Sequence, residues 1–271
     1  MGVKLTRWGI LLIYSVLIII PLTVVLFGSF KSSQELFTAP FAWPSQPTLD
    51  NYGTLLGSAD LGTPFLNSTI VTGSSLLLAL FIGSLAAYGV ARIPGWKGWL
   101  IFGVLVLGMS VPAQAIMVPL YVMFDTMGLL NSLVGLVVIE VVHAMPVTVF
   151  ILGGFMRTLP RELYEASSID GSGPWRTYWS IVIPLSAPSI AATAIFLFVI
   201  IWNDLLFPLL FVQDAAYETL PLALLGFQGE FQTNYPAMFA GVIIASLPVV
   251  VAYVFLQRYF VAGITAGASK G

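Results

Sequence analysis

Cysteine is absent from the 271-residue chain, and histidine occurs once, at His143. A disulfide framework, a thiolate metal site and any site needing two imidazoles are therefore excluded. Charge is also scarce. Only 8% of residues are Asp, Glu, Lys or Arg, where a soluble domain carries about a quarter. The formal net charge of -2 leaves no basic footprint for nucleic acid. What is abundant is apolar surface: 58% of residues are hydrophobic and the mean hydropathy is +0.98. That composition uses lipid as its solvent. It excludes a soluble enzyme and a disordered linker, and it predicts one all-α polytopic membrane unit over residues 1–271.

A helix needs about 20 mainly apolar residues to cross a bilayer. Six stretches qualify: approximately 9–30, 66–91, 99–124, 129–156, 189–212 and 237–261. The first follows Lys4 and Arg7 but is longer than a signal-peptide core, and no A-x-A site follows it, so it is a retained span. Only Asp125–Gly128 separates the third span from the fourth, which predicts a hairpin. Nine of the ten Lys and Arg residues fall on one side: Lys4, Arg7, Arg92, Lys97, Arg157, Arg161, Arg176, Arg258 and Lys270, against Lys31 alone. By the positive-inside rule that side is cytoplasmic, with both termini and the 157–188 loop. Glu35, Asp50, Asp60, Asp125, Asp214, Glu218 and Glu230 fall outside.

The spans hold more proline and glycine than a passive anchor needs. Pro112, Pro119, Pro146, Pro208 and Pro248 each remove a backbone donor and tend to kink a helix. Ala79, Gly83 and Ala87 recur at four-residue spacing, a small-residue face suited to close helix packing. Ionisable groups within spans are functional candidates. Glu140 and His143, three apart, share a helix face and can bond to each other. They form either a structural pair or a gate. A di-iron site would need a second E-x-x-H and more inward carboxylates, so no metal is expected. Trp202, Asn203 and Asp204 interrupt the fifth span and suit a carbohydrate path or a contact with another subunit. Gln114, between Pro112 and Pro119, is a candidate of the same kind.

The most informative segment is RTLPRELYEASSIDGSGPWRTYWSIVIPLSAP, residues 157–188. Thr158 can cap a short helix with Pro160 in its first turn. Leu159, Leu163 and Ala166 fall at i, i+4 and i+7, an apolar stripe that wants a groove on a partner. Gly171 is placed to stop the helix in the left-handed conformation, and Gly173-Pro174 to reverse the chain. Trp175, Tyr178 and Trp179 have the character of an interfacial belt.

This loop resembles the EAA loop of binding-protein-dependent ABC importer permeases, in which Glu-Ala-Ala is followed by Gly six residues after the Glu, then nine residues, then Ile-x-Leu-Pro. Here stand Glu165-Ala166-Ser167, Gly171 and Ile181-Val182-Ile183-Pro184, departing at Ser167 and Ile183. SFKSSQELFTAPFAWPSQPTLDNY, NSTIVTGSSLLLALFIGSLAAYGVAR, WNDLLFPLLF and QRYFVAGITAGASKG are similar to further segments of the carbohydrate permeases of the maltose-transporter type, so the likeness covers nearly the whole chain. It implies a type I importer permease fold of six spans in the inner membrane. It also implies a coupling helix, here with Leu163, Tyr164, Glu165, Ala166, Ser167, Asp170 and Gly171, that docks on a separate ATP-binding subunit dimer. The further partners implied are a second permease subunit in a heterodimer, an extracytoplasmic solute-binding protein and a sugar, di- or oligosaccharide by preference.

No Gly precedes a Lys, so G-x-x-x-x-G-K-[ST] cannot occur. The chain is expected to be non-catalytic and to bind no cofactor, with ATP and Mg used by the partner ATPase. Alternatives are a permease for a polyol or glycerol phosphate, an intramembrane enzyme, for which neither a G-x-S-G element nor a second membrane aspartate is evident, and a secondary transporter or channel, which would not need the coupling loop.

Overall fold

The computed structural model describes residues 2–57, 61–227 and 234–268, with side chains over 6–57, 61–227 and 234–255. Asp60, Glu230 and Lys270 lie outside the described residues, as do the side chains of Lys4 and Arg258. Along the chain run α1 (Gly2–Gly28), α2 (Ser33–Thr38), α3 (Asp50–Leu56), α4 (Gly62–Arg92), α5 (Gly95–Leu107), α6 (Met117–Thr126) and α7 (Leu133–Met156). There follow α8 (Arg161–Ile169), α9 (Pro174–Thr177), α10 (Ile183–Trp202), α11 (Leu206–Phe211), α12 (Leu220–Leu225) and α13 (Tyr235–Ala268). No strand occurs among the described residues.

Five helical stretches are long and apolar enough to cross a membrane: Thr6–Gly28, Gly62–Arg92, Leu133–Met156, Pro174–Trp202 and Tyr235–Phe255. A sixth crossing forms if Gly95–Ser110 and Ala113–Thr126, bent by 83° at their junction, make one span. The expected helix over 99–124 is thus broken. Pro112 lacks an N–H and disfavours helix at the residue before it. Val111 is accordingly extended (φ -88°, ψ 111°), with tight 3₁₀ turns on either side at Gly108–Ser110 and Ala113–Ile116. The expected 189–212 span also differs. Its helix starts earlier, at Pro174, passes through one π-helical turn at Tyr178–Val182 and stops at Trp202. The chain resumes as α11, whose first turn holds Pro208, a position that needs no donor. Pro208 therefore sits in a new helix and does not kink the old one.

The chain divides into two compact units, Met1–Leu66 with Glu218–Pro248, and Asn67–Tyr217 with Val249–Gly271. In the first, most of α1 is exposed apolar surface. At its end a Cβ on Gly28 would lie 2.6 Å from the Phe239 ring. The segment after α1 is folded around Lys31, which is 0% exposed. Its Nζ donates to the carbonyls of Ala39 (2.7 Å) and Ala42 (2.6 Å). The one base on the acid-rich side is therefore spent internally. Asn51 Nδ2 donates to the carbonyls of Ser29 and Lys31, and the Ser45 N–H donates to Glu35 Oε1 at 2.6 Å. That last bond holds the Glu35 carboxyl below the usual carboxylate range.

The second unit is built on the packing of α4 against α7. Ala79 and Ala144 share one buried cluster, a Cβ on Gly83 would collide with the Thr148 side chain, and Ala87 lies 3.7 Å from the Cβ position of Gly153. Small residues at four-residue spacing let two backbones approach in lipid, where there is no hydrophobic drive to hold helices together. The expected small-residue face of α4 is therefore the packing face. Gly83→Ala should destabilise the protein by about 1–3 kcal/mol, seen as a lower aggregation temperature in detergent. Gly73→Ala, in the same helix with no heavy atom within 4 Å of its Cβ position, should leave that temperature unchanged.

Candidate functional site

The short helix expected near Glu165 is present as α8, and its stop signal is as expected. Gly171 has φ +71°. Its N–H donates to the Ser168 carbonyl (3.1 Å) and the Ser172 N–H to the Ser167 carbonyl (2.9 Å), the paired bonds of a Schellman cap. The start differs. Thr158 Oγ1 donates to the Phe155 carbonyl, and α8 begins after Pro160 with no side-chain cap. Thr158 thus closes α7 and does not open α8. Gly173 is the extended residue before α9, so the polar loop ends at Pro174, well short of 188.

Part of the seat of α8 lies within its own chain, and part of the expected stripe stays uncovered. Leu159 and Tyr164 pack on a buried cluster of Ala87, Tyr88, Leu152, Met156, Tyr178 and Val182. Tyr164 stacks on Tyr88 with centroids 6.4 Å apart, and its burial raises the pKa of its phenol. Leu163 is half-buried, whereas Ala166 is exposed. Tyr178, expected at an interface, is buried and shares a 2.7 Å hydrogen bond with Ser84 in α4, while Trp175 and Trp179 stay exposed.

Ser167, one of the two departures from the EAA pattern, is buried and its Oγ lies 2.7 Å from Thr177 Oγ1. This hydroxyl pair ties α8 to the start of the fifth span. Tyr88 Oη donates to the Pro174 carbonyl at 3.0 Å and binds the same corner to α4. The face of α8 left in solvent comprises Glu162, Glu165, Ala166 and Ile169, with Asp170 beyond it. Ile169 is 86% exposed. Sequence reasoning missed it because it falls off the stripe of Leu159, Leu163 and Ala166. The signal available was an isoleucine at i+4 from Glu165 on the polar face.

The polar residues within spans are arranged otherwise than expected. Glu140 is 2% exposed and lies beside Asp204. His143 is exposed and lies edge-on to Phe207, 5.2 Å between centroids. Asp204 also accepts the N–H groups of Leu206 (3.4 Å) and Phe207 (3.0 Å), so it caps the helix that resumes after the break. Trp202 is buried and stacks on Phe198 at 5.8 Å, which removes its face from any open path within this chain. Asn203 is exposed and its Nδ2 donates to the Val199 carbonyl (2.8 Å). Gln114 is exposed in the 3₁₀ turn after Pro112. A cavity of about 210 Å³ is lined by Gly108, Met109 and Val111 on one side and Glu140, His143 and Ile200 on another. It brings together Glu140 and His143 but not Gln114, Trp202 or Asn203. Among the described residues no group of three or more His, Asp or Glu side chains is placed to hold a metal ion.

The Ser167–Thr177 contact makes a quantitative prediction. Ser167→Ala should cost about 1 kcal/mol, because Thr177 keeps its bond to the Gly173 carbonyl. A double-mutant cycle with Thr177→Ala, read by thermal stability, should give a coupling of about 0.5–1.5 kcal/mol. Ser167→Leu should cost about 1–3 kcal/mol by overfilling the site.

Residues 79–266 match the family described as the inner membrane component of binding-protein-dependent transport systems. The diacetylchitobiose uptake system permease protein NgcG of Streptomyces coelicolor is 36% identical over 266 residues, covering 97% of this chain and 87% of the relative. The melibiose/raffinose/stachyose import permease protein MelC of Bacillus subtilis is 38% identical over 253 residues, 93% of this chain and 91% of MelC. The multiple sugar-binding transport system permease protein MsmG of Streptococcus mutans is 35% identical over 268 residues, 97% of this chain and 96% of MsmG. In fold, a chain of a bacterial ABC transporter involved in the import of the acidic polysaccharide alginate superposes with a TM-score of 0.84 at 16% identity, covering 95% of this chain and 96% of that one. An all-helical architecture, a Schellman-capped surface helix carrying the EAA pattern and these relatives converge: the chain belongs to the inner membrane component family of binding-protein-dependent transport systems and has the type I ABC importer permease fold.

Proposed function

We propose that the chain is the permease subunit of an ATP-driven importer for a di- or oligosaccharide. It forms half of the translocation path beside a second permease subunit. A solute-binding protein delivers the sugar to the acid-rich outer side. ATP and Mg are used on a separate ATPase dimer that grips α8 from the cytoplasm, the side of the chain termini. This chain supplies no catalytic group and no cofactor site.

The observation that carries this reading is the solvent face of α8. A nine-residue helix is seated on its inner side by Tyr164, with Leu159 packed just before it, tied by Ser167 to the fifth span, and stopped by Gly171. Yet it leaves Ile169 almost fully in solvent beside Glu165. A large apolar side chain held out on a fixed helix offers a partner groove about 2 kcal/mol on burial. Because α8 stacks on α4 through Tyr164 and Tyr88 and is bonded to the fifth span through Ser167, a push on it reaches two membrane helices directly. The sugar assignment is supported by the names of NgcG, MelC and MsmG, which specify diacetylchitobiose, then melibiose, raffinose and stachyose, then multiple sugars. Their breadth leaves the individual saccharide open to measurement.

Ile169→Asp should reduce co-purification of the ATPase by about thirtyfold, the equivalent of about 2 kcal/mol, and abolish uptake while the permease keeps its thermal stability. Glu165→Lys should do the same by charge reversal. Wild-type levels of bound ATPase together with normal uptake in both variants would refute the coupling role. Mass spectrometry of the ligand retained by the solute-binding protein should show a di- or oligosaccharide, and a polyol or a phosphorylated glycerol would overturn the substrate assignment.

A further inference from the structure

A cavity of about 580 Å³ opens between α8, the turn joining α4 to α5, and the end of α7. Three arginines line it, Arg92, Arg157 and Arg161, with Trp99, Tyr164 and one carboxylate, Glu165. Arg92 Nη1 donates to the Tyr88 hydroxyl (3.1 Å). Arg157 Nη2 donates to the Gly98 carbonyl (2.6 Å), and its guanidinium lies 4.3 Å from the Trp99 ring centroid. Arg157 Nε is buried with no hydrogen-bond partner. Burial also lowers the pKa of this guanidinium, which lies 4.7 Å from the Phe102 ring centroid as well. None of the three arginines forms an ion pair with a described side chain.

The position of the cavity identifies what would fill it. It sits where α4 and α7 leave their apolar runs, and Trp96 and Trp99 at the start of α5 are both exposed, as aromatic residues are at a membrane–water boundary. A partly buried guanidinium fork favours bidentate contact with phosphate oxygens. Basic pockets between membrane helices at this depth accept anionic lipid headgroups. We propose that this cavity holds the phosphodiester headgroup of an anionic phospholipid, held by Arg92, Arg157 and Arg161 beneath α8. The bound headgroup neutralises the excess positive charge and joins α8 to the α4–α5 turn. Glu165 and Ile169, which the importer reading turns toward the ATPase, also wall this cavity, so the headgroup lies at the edge of that contact; the inference goes beyond that reading, and lipid binding is measured without transport.

The test uses the full-length chain in the assembly it forms in the membrane. It is equilibrated in bilayers of phosphatidylcholine with phosphatidylglycerol, extracted gently and analysed by native mass spectrometry. Wild type should retain phosphatidylglycerol at least about tenfold over phosphatidylcholine. Each arginine near an anionic surface contributes about a fivefold factor, so the Arg92→Gln/Arg161→Gln pair should lose retention by about 25-fold. Ser168→Glu, which places a carboxylate at an exposed position on the cavity wall, should lose it comparably, so the idea does not hang on the arginine variants folding. Lys97→Gln, basic but not in the cavity lining, should change nothing. Equal retention of the two lipids by wild type, undiminished retention in the Ser168→Glu and arginine variants, or an equal loss in Lys97→Gln would overturn the proposal. Displacement of the lipid by free glycerol 3-phosphate would overturn it too, by assigning the site to a soluble phosphate.

Discussion

Everything at the arginine-rich end rests on how closely α4 and α7 approach. In lipid two helices gain little from merely touching, because acyl chains are as apolar as leucine, so close backbone approach must supply the packing energy. Ala79, Gly83 and Ala87 face Ala144, Thr148 and Gly153 in one register. One more methyl group at Gly83 has no space to occupy. Where this packing reaches Ala87 it continues into Tyr88, Leu152 and Met156, the buried cluster on which α8 sits. The position of a surface helix is thereby set by small residues deep in the spans.

The attachment of α8 is a chain of short polar contacts within that apolar seat. Ser84 meets Tyr178, Tyr88 reaches the Pro174 carbonyl, and Ser167 meets Thr177. Each hydroxyl is satisfied within the protein, as burial in a low-dielectric setting demands. The π-helical turn at Tyr178–Val182 lies in the same corner; such turns reposition side chains without breaking a helix. A force on the solvent face of α8 meets no flexible linker before it reaches α4 and the fifth span. Mechanical coupling requires that property, and a loosely tethered amphipathic helix would lack it.

The sequence exposes this architecture unevenly. Helix existence, the small-residue face and the glycine stop at Gly171 are legible because each follows from a local rule: apolar run length, four-residue spacing, and the left-handed conformation that only glycine adopts cheaply. The seat of α8 is not legible. Leu159 and Leu163 announce an apolar stripe, but whether the stripe meets a partner or its own chain depends on Tyr88 and Met156, brought to it only by folding. Ser167 reads in the sequence as a neutral replacement for alanine and is in fact a hydrogen-bonded tie. His143 and Glu140 share a helix face by spacing and line one cavity, and Asp204, which folding brings beside Glu140, is a neighbour that three-residue spacing cannot reveal. Asn203-Asp204 reads as path-lining polarity. The same two residues end one helix and cap the next.

The two interrupted spans share a location, and this gives the interruptions a common reason. Val111 borders the cavity that Glu140 and Ile200 also line, and Asp204, which caps α11 after the second break, lies beside Glu140. Non-helical backbone at membrane depth persists only where protein or a cavity satisfies it. At the first break Pro112 has no donor to satisfy and the residues around it return to hydrogen bonding through 3₁₀ turns. At the second, the Asp204 carboxylate takes the two N–H groups that the new helix leaves open. Small-residue packing locks α4 to α7, and the two broken spans meet α7 near Glu140 and Asp204. The packing that seats α8 and the breaks at membrane depth thus fall on different elements: the small residues on α4 and α7, the breaks at Pro112 and at Asn203-Asp204 in the third and fifth spans, while Pro146 stays inside an unbroken α7.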